Sequence, residues 1–316
     1  MKKLAIVFPG QGSQFVGMGK GLCAAYPVAK ETFDEANDAL GFDLASIAFT
    51  GPADALDRTE FTQPALLAAS VAALRVLRGV ASAAPAFYAG HSLGEYTALV
   101  AAGAIRFADA VRIVNLRGKY MQEAVPAGAG KMCAILGLYI NDVAAVCDAA
   151  SGDGAVVVSA NINGPQQIVI SGDARAVDMA AGLASERGAK RVIPLQVSAP
   201  SHSPLMEGAA ARLASELAKI EIAAPKASVL SNVEAAPIVG AAQIKGILVR
   251  QLTSPVRWVE TINRMKAEGV ERVVEAGPGK VLTGLIKRIE PDIETFNIGE
   301  AGDVDKLAAA MGRAVA

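Results

Sequence analysis

Hydrophobic positions along the chain fall into two kinds of run. Short runs rich in β-branched or aromatic residues, Leu4 to Phe8 and Ala86 to Ala89, alternate with longer Ala/Leu stretches patterned as helices over Ala25 to Leu40 and Ala65 to Arg78. The alternation resumes near the end with Val270 to Glu275, a helical run from Gly279 to Ile289, a strand at Thr295 to Ile298 and a last helix from Val304. Such alternation predicts parallel strands joined by crossover helices, and therefore an α/β fold.

The pattern changes after Pro126-Ala127-Gly128-Ala129-Gly130, a small-residue stretch suited to a linker. Met132 to Gly137 reads as a strand, Asn141 to Ala150 as a helix, and Ala155 to Ala160 with Gln166 to Ile170 as a hairpin around Asn163-Gly164-Pro165. Ala174 to Arg187 then reads as a helix and Arg191 to Val197 as a strand. This βαββαβ order is the ferredoxin-like arrangement. The expected division is a large hydrolase-like catalytic domain with a parallel sheet, residues 1–125 and 199–316, carrying a small ferredoxin-like domain inserted at 126–198. The cleft between the two is where a ligand is expected.

Composition narrows the function classes. Of 316 residues 52% are hydrophobic and 19% charged, the profile of a folded globular protein. With 30 Lys and Arg against 31 Asp and Glu, no global field recruits nucleic acid or an anionic membrane, so neither is expected as a partner. Cys23, Cys133 and Cys147 are scattered and odd in number, which predicts neither a disulfide framework nor a zinc site. Leu4 to Phe8 is too short for the apolar region of a signal peptide, and no apolar run reaches the roughly 18 residues of a membrane span. A cytoplasmic protein is expected.

The sharpest chemical signal is Gly90-His91-Ser92-Leu93-Gly94, set between a strand and the helix-like Glu95 to Ala102. In a nucleophile elbow the serine occupies a tight strand-to-helix turn, and glycines two residues either side let the backbone pass. Serine at its free pKa is a poor nucleophile and needs a base, most often histidine. The chain has two histidines. His91 adjoins Ser92 and should project away from its hydroxyl, which leaves His202 in the proline-bounded loop Ala199-Pro200-Ser201-His202-Ser203-Pro204. For a triad acid, Asp109, Asp142, Asp148, Asp153, Asp173 and Asp178 lie between the two in sequence, and none stands out. A Ser–His dyad oriented by a carbonyl is the open alternative.

Two further elements fit this chemistry. The loop Pro9-Gly10-Gln11-Gly12-Ser13-Gln14 fails both phosphate-loop patterns, because Phe15 stands where a third glycine belongs and no Gly-Lys-Ser/Thr follows. Its backbone suits an oxyanion hole instead, with the Gln11 amide paired with that of Leu93. Arg117, four residues before Met121 on the helical stretch Ala108 to Gln122, would bind a substrate carboxylate if buried beside the cleft. On these residues alone, a serine hydrolase such as a thioesterase and a non-catalytic binding protein compete with an acyltransferase.

The motifs Phe8 to Gln14 with Gly17-Met18-Gly19, Gly90 to Glu95, Arg117-Gly118 with Met121-Gln122, Pro200-Ser201-His202, Gln251-Leu252 with Pro255-Val256, and Glu275-x-Gly277-Pro278-Gly279 occur in one order. In that order they resemble bacterial malonyl-CoA:acyl carrier protein transacylases over essentially the whole chain. The resemblance implies Ser92 as nucleophile, His202 as base, Gln11 and Leu93 as oxyanion hole, and Arg117 as clamp for the malonyl carboxylate. It further implies that the Gln251 carbonyl orients His202 and that Met121 lines the acyl pocket. It predicts a monomer that takes malonyl-CoA and an acyl carrier protein as partners, with no metal and no resident cofactor. Coenzyme A would enter as the substrate's thioester, and phosphopantetheine on the carrier. Fatty acid biosynthesis is the expected pathway, with a polyketide-pathway acyltransferase as the alternative. Lys190 with Arg191, or Lys280 with Lys287 and Arg288, are candidates for meeting an acidic carrier.

Overall fold

The computed structural model describes residues 2–81, 84–195 and 199–311. The nine strands found there are β1 Leu4–Phe8, β2 Phe87–Gly90, β3 Gly130–Leu136, β4 Val157–Gly164, β5 Gln167–Asp173, β6 Arg191–Pro194, β7 Ser228–Val229, β8 Arg272–Ala276 and β9 Glu294–Ile298. They make two sheets.

The larger sheet has the order β7-β2-β1-β8-β9, and every pairing in it is parallel. Alternate residues of β1 serve opposite faces: Leu4, Ile6 and Phe8 join one apolar cluster, Ala5 and Val7 another. A parallel strand covered by helices on both sides needs this near-continuous hydrophobic run. Adjacent strands β1 and β2 pair Phe8 with Gly90, so the loops that follow them leave the sheet side by side. Ligands in open α/β sheets gather at such carboxyl ends.

The smaller sheet, order β4-β5-β3-β6, is antiparallel. Numbered within the βαββαβ unit this is 2-3-1-4, the ferredoxin-like order, inserted into the α/β part as its sequence pattern predicts. Cys133, Ile135, Ile168 and Ile170 face helices Ile140–Ala150 and Ala174–Glu186, whereas Met132, Ala160 and Val169 point to the other face. Main-chain bonds tie the two parts together. Ile162 N–H donates to Val256 O, and Val256 N–H to Ala160 O, each at 2.9 Å.

Several elements depart from the sequence pattern. The helix expected from Ala25 to Leu40 is two helices, Lys20–Ala25 and Pro27–Leu40, because Pro27 lacks an N–H and holds Tyr26 extended. The helix expected from Ala65 begins at Thr59 and runs through Pro64. The Glu60 carbonyl that Pro64 cannot serve accepts instead from Asn115 Nδ2 at 2.8 Å. β4 extends through Asn163 and Gly164, so the hairpin turns at Pro165-Gln166 rather than around Asn163-Gly164-Pro165. The end of the strand expected at Arg191 to Val197 lies outside the described residues. Among the described residues no helix is long and apolar enough to cross a membrane.

Candidate active site

Ser92 and His202 come from distant parts of the chain, 110 positions apart, and meet at the carboxyl end of the large sheet. The elbow explains its own glycines. A Cβ on Gly90 would lie 1.9 Å from the Gly94 carbonyl carbon, and one on Gly94 would lie 2.1 Å from Phe8 O. Ser92 takes φ 50°, a left-handed conformation disfavoured for a residue with a Cβ. Helix Gly94–Ala101 starts directly after it, so the positive end of the helix faces the site.

His202 shares this conformation, at φ 61°, and is buried. Its Nε2 lies 2.9 Å from Ser92 Oγ. Its Nδ1 lies 2.7 Å from Gln251 O and 3.2 Å from Ser254 O. Two carbonyls can only accept, so Nδ1 carries the proton and Nε2 is left free to accept from the serine hydroxyl. Burial, with the Arg117 charge adding to it, pushes His202 down to about 3, and the ring is neutral near pH 7. No carboxylate takes part in this orientation. Of the aspartates weighed from sequence, Asp109 pairs with Arg106 and Arg112, Asp178 with Lys131, and Asp173 accepts from Val156 N–H.

Arg117 is 1% exposed, on helix Phe107–Glu123. That helix approaches closely because residue 118 is glycine; a Cβ there would lie 2.5 Å from Thr59 O. The guanidinium donates to Gln63 Oε1 at 2.8 Å, to Gln251 Oε1 at 3.0 Å and to Ser92 Oγ at 3.3 Å, and lies over the Tyr96 ring. All four partners are neutral. Its Nε is buried without a hydrogen-bond partner.

These groups border a cavity of about 430 Å³. Gln11, Leu93 and Met121 line it with Ser92, Arg117 and His202, while Met132, Asn161 and Leu195 close it from the small sheet's side. The Gln11 side chain reaches Thr59 Oγ1 at 3.4 Å, and the Met121 sulfur accepts from Gln63 Nε2 at 3.4 Å. His91 is held away from the hydroxyl: its Nε2 meets Asn163 Oδ1 at 2.7 Å and its ring packs edge-on against Trp258. Burial lowers its pKa as well. Among the described residues no group of three His, Cys, Asp or Glu is gathered to hold a metal.

Gln63 and Asn232 carry no signal in the sequence pattern, yet both build the site. Gln63 was hidden in a helical turn masked by Pro64. Asn232 sits in the loop after β7 and reaches Ser92 N–H with its Oδ1 at 2.7 Å. The Glu275 motif turns out to be scaffolding: its buried carboxylate accepts from Leu282 N–H, Thr283 N–H and Thr283 Oγ1 at the start of helix Val281–Ile289.

A serine on a strained elbow, a neutral imidazole and a guanidinium beside one cavity suit transfer of an acyl group through serine. The family model described as acyl transferase domain matches residues 5–298. The malonyl CoA-acyl carrier protein transacylase of Escherichia coli (strain K12) is 50% identical over 311 residues, 98% of this chain and 99% of that protein. Among solved structures, a malonyl-CoA:acyl carrier protein transacylase from Xanthomonas oryzae pv. oryzae superposes with a TM-score of 0.96 at 47% identity, covering 98% of this chain and 99% of that one. A malonyl-transacylase in complex with a holo type II PKS acyl-carrier protein superposes with a TM-score of 0.94 at 46% identity, covering 98% and 99%. The chain belongs to the acyl transferase family and, within it, to the malonyl CoA-acyl carrier protein transacylases.

Proposed function

We propose that the chain transfers a malonyl group from malonyl-CoA to the phosphopantetheine thiol of an acyl carrier protein, through a malonyl ester on Ser92, and so feeds fatty acid biosynthesis. His202 Nε2 takes the Ser92 hydroxyl proton as Oγ attacks the thioester carbonyl. The Nδ1–H donated to Gln251 O steadies the imidazolium that forms. The main-chain N–H groups of Gln11 and Leu93 receive the tetrahedral oxyanion. Collapse breaks the C–S bond, and the departing coenzyme A sulfur takes the proton from Nε2. The carrier's thiol then repeats the sequence in reverse: it gives its proton to His202, attacks the ester, and returns the acyl group to a thioester and the proton to Ser92.

The observation that carries this reading is Arg117. A buried cation with only neutral partners, 3.3 Å from Ser92 Oγ, favours an acyl group that brings its own carboxylate. A hydrolase for neutral acyl groups would gain nothing from it. No oxidation state changes, so the chemistry calls for no resident cofactor. The three free cysteines suit a cytoplasmic setting.

The test is intact mass after incubation with malonyl-CoA. A malonyl adduct that disappears in Ser92→Ala supports the reading, and its absence from the wild-type protein sinks it.

A further inference from the structure

Behind the Ser92–His202 pair lies a buried carboxylate to which the reaction above gives no task. Glu95 follows Ser92 by three residues and is completely buried. Its Oε1 accepts the main-chain N–H of Asn232 at 3.1 Å, and its Oε2 accepts from Gln251 Nε2. Both partners also hold Ser92. Asn232 Oδ1 accepts the Ser92 N–H while its Nδ2 donates to Gly90 O at 2.6 Å, and Gln251 Nε2 donates to Ser92 O at 2.9 Å. The other end of the Gln251 amide, Oε1, accepts from Arg117 at 3.0 Å.

An ionised carboxylate can only accept hydrogen bonds. Glu95 therefore demands the N–H₂ end of Gln251, and the amide oxygen is left to face Arg117. Turned over, the amide would set its oxygen against the carboxylate and the Ser92 carbonyl, and its hydrogens against the guanidinium. Each of the three contacts would then oppose like with like.

We propose that Glu95 is a positioning residue: acting through the Gln251 amide it fixes Arg117, and with Asn232 it clamps the left-handed backbone of Ser92. The proposal rests on Ser92 as nucleophile and Arg117 as clamp. Burial pushes Glu95 up to about 7, while the bonds from Gln251 and Asn232 and the charge of Arg117 hold it back. The charged groups that bear on it are Arg117, from helix Phe107–Glu123, and Glu234, from the loop after β7. Glu234 opposes its ionisation and is itself paired with Arg250. Protonated Glu95 would present a hydrogen to one of its two donors and release it. Acylation should therefore weaken as pH falls through neutrality. Burial also lowers the pKa of His202, and a limb belonging to that residue would survive in Glu95→Gln.

The experiment measures kcat/KM for malonyl-pantetheine and acetyl-pantetheine, donors without a phosphate to titrate, from about pH 5.5 to 8.5, in wild type, Glu95→Gln and Glu95→Asp. In a ping-pong reaction this ratio reports the first half alone. The wild-type malonyl value should drop below about 7. Glu95→Gln should lower it about ten- to hundredfold at high pH, more than the acetyl value, and abolish the limb. Glu95→Asp, still an acceptor only, should retain the limb. A wild-type profile flat through neutrality overturns the proposal and needs no variant to fold; so does Glu95→Gln within about twofold of wild type for both donors. Intact mass separates the two levels. A wild-type protein that forms no malonyl-Ser92 refutes the underlying reading and the proposal with it, whereas an adduct with a flat profile refutes the proposal alone.

Discussion

Arg117 is the only Lys or Arg among the described residues that line the cavity, and replacing it by alanine would remove the clamp proposed to distinguish a malonyl from an acetyl donor. A guanidinium can meet a carboxylate through two parallel charge-assisted hydrogen bonds, each worth about 1.5–3 kcal/mol. Their loss predicts a fall of about 10²- to 10⁴-fold in kcat/KM for malonyl-CoA. Two consequences run the other way. Arg117 lowers the pKa of His202, so its removal makes the base stronger and should not slow acetyl transfer through that residue. Of the acceptors it leaves, Gln63 borders the cavity and Gln251 is fully buried, and stranding a buried acceptor sets a stability cost of about 1–3 kcal/mol. Arg117→Lys keeps the charge and loses the fork, and should fall between alanine and wild type. The assay is kcat/KM for malonyl-CoA and acetyl-CoA with one carrier protein, alongside thermal melts. Malonyl and acetyl transfer declining by the same factor in Arg117→Ala would show that the arginine is structural and that the clamp is wrong.

Three shorter predictions follow from the same geometry. His202→Ala should slow acylation of Ser92 by about 10²- to 10⁴-fold, measured by rapid quench; a near wild-type rate would mean another base or none. The native pKa of His202 is depressed to about 3 from 6.5, so below about 6.5 the unfolded chain binds the extra proton. Stability from this residue is thus complete above that pH and lost as pH falls towards 3, by up to ~1.4 kcal/mol per unit. The acid-side decline in Tm should be shallower in His202→Ala, and an unchanged slope would contradict the depressed value. Gly90→Ala would bring a Cβ to 1.9 Å from the Gly94 carbonyl carbon, so the elbow must open and Ser92 acylation should be lost. Wild-type acylation in a folded Gly90→Ala protein would refute the steric account of the motif.

The legible parts of this molecule are those whose partners lie close in sequence or whose pattern repeats. β1 and β2 stand out because strands buried on both faces read as unbroken apolar runs, whereas β9, at the edge of the sheet, is half-exposed and shows only Phe296 and Ile298 among polar residues. The elbow is legible because Gly90 answers to Gly94 four residues on, although Gly94 itself answers to Phe8 in β1. From residue 199 to 270 the pattern is silent outside the His202 loop. β7 is two residues long, and the helices Glu207–Ala218, Ala241–Gln251 and Trp258–Ala267 bury only short stripes. Asn163 and Gly164 carry a turn signature, yet they stay in β4. There the strand is committed to tertiary pairings, with Val256 on one side and β5 on the other. Gln63, Asn232 and the second contact of Glu95 are illegible for one reason: each is defined by a partner at least 54 positions away.

The same long-range contacts explain how a charge can be stored in the core and still be used. A carboxylate bonded directly to Arg117 would stabilise the empty enzyme, but a substrate would then have to break a buried ion pair. The chain instead surrounds the guanidinium with amide oxygens, a hydroxyl and a ring, and keeps Glu95 one amide further back. Dipoles hold the group in place without cancelling its charge, and burial without a direct counter-ion leaves it under-compensated. In the proposed reaction a malonyl carboxylate would remove that deficit on arrival, and an acetyl group would not. Selection for a carboxylated acyl group, if Arg117 is the clamp proposed above, would follow from what was left out beside it as much as from the arginine itself.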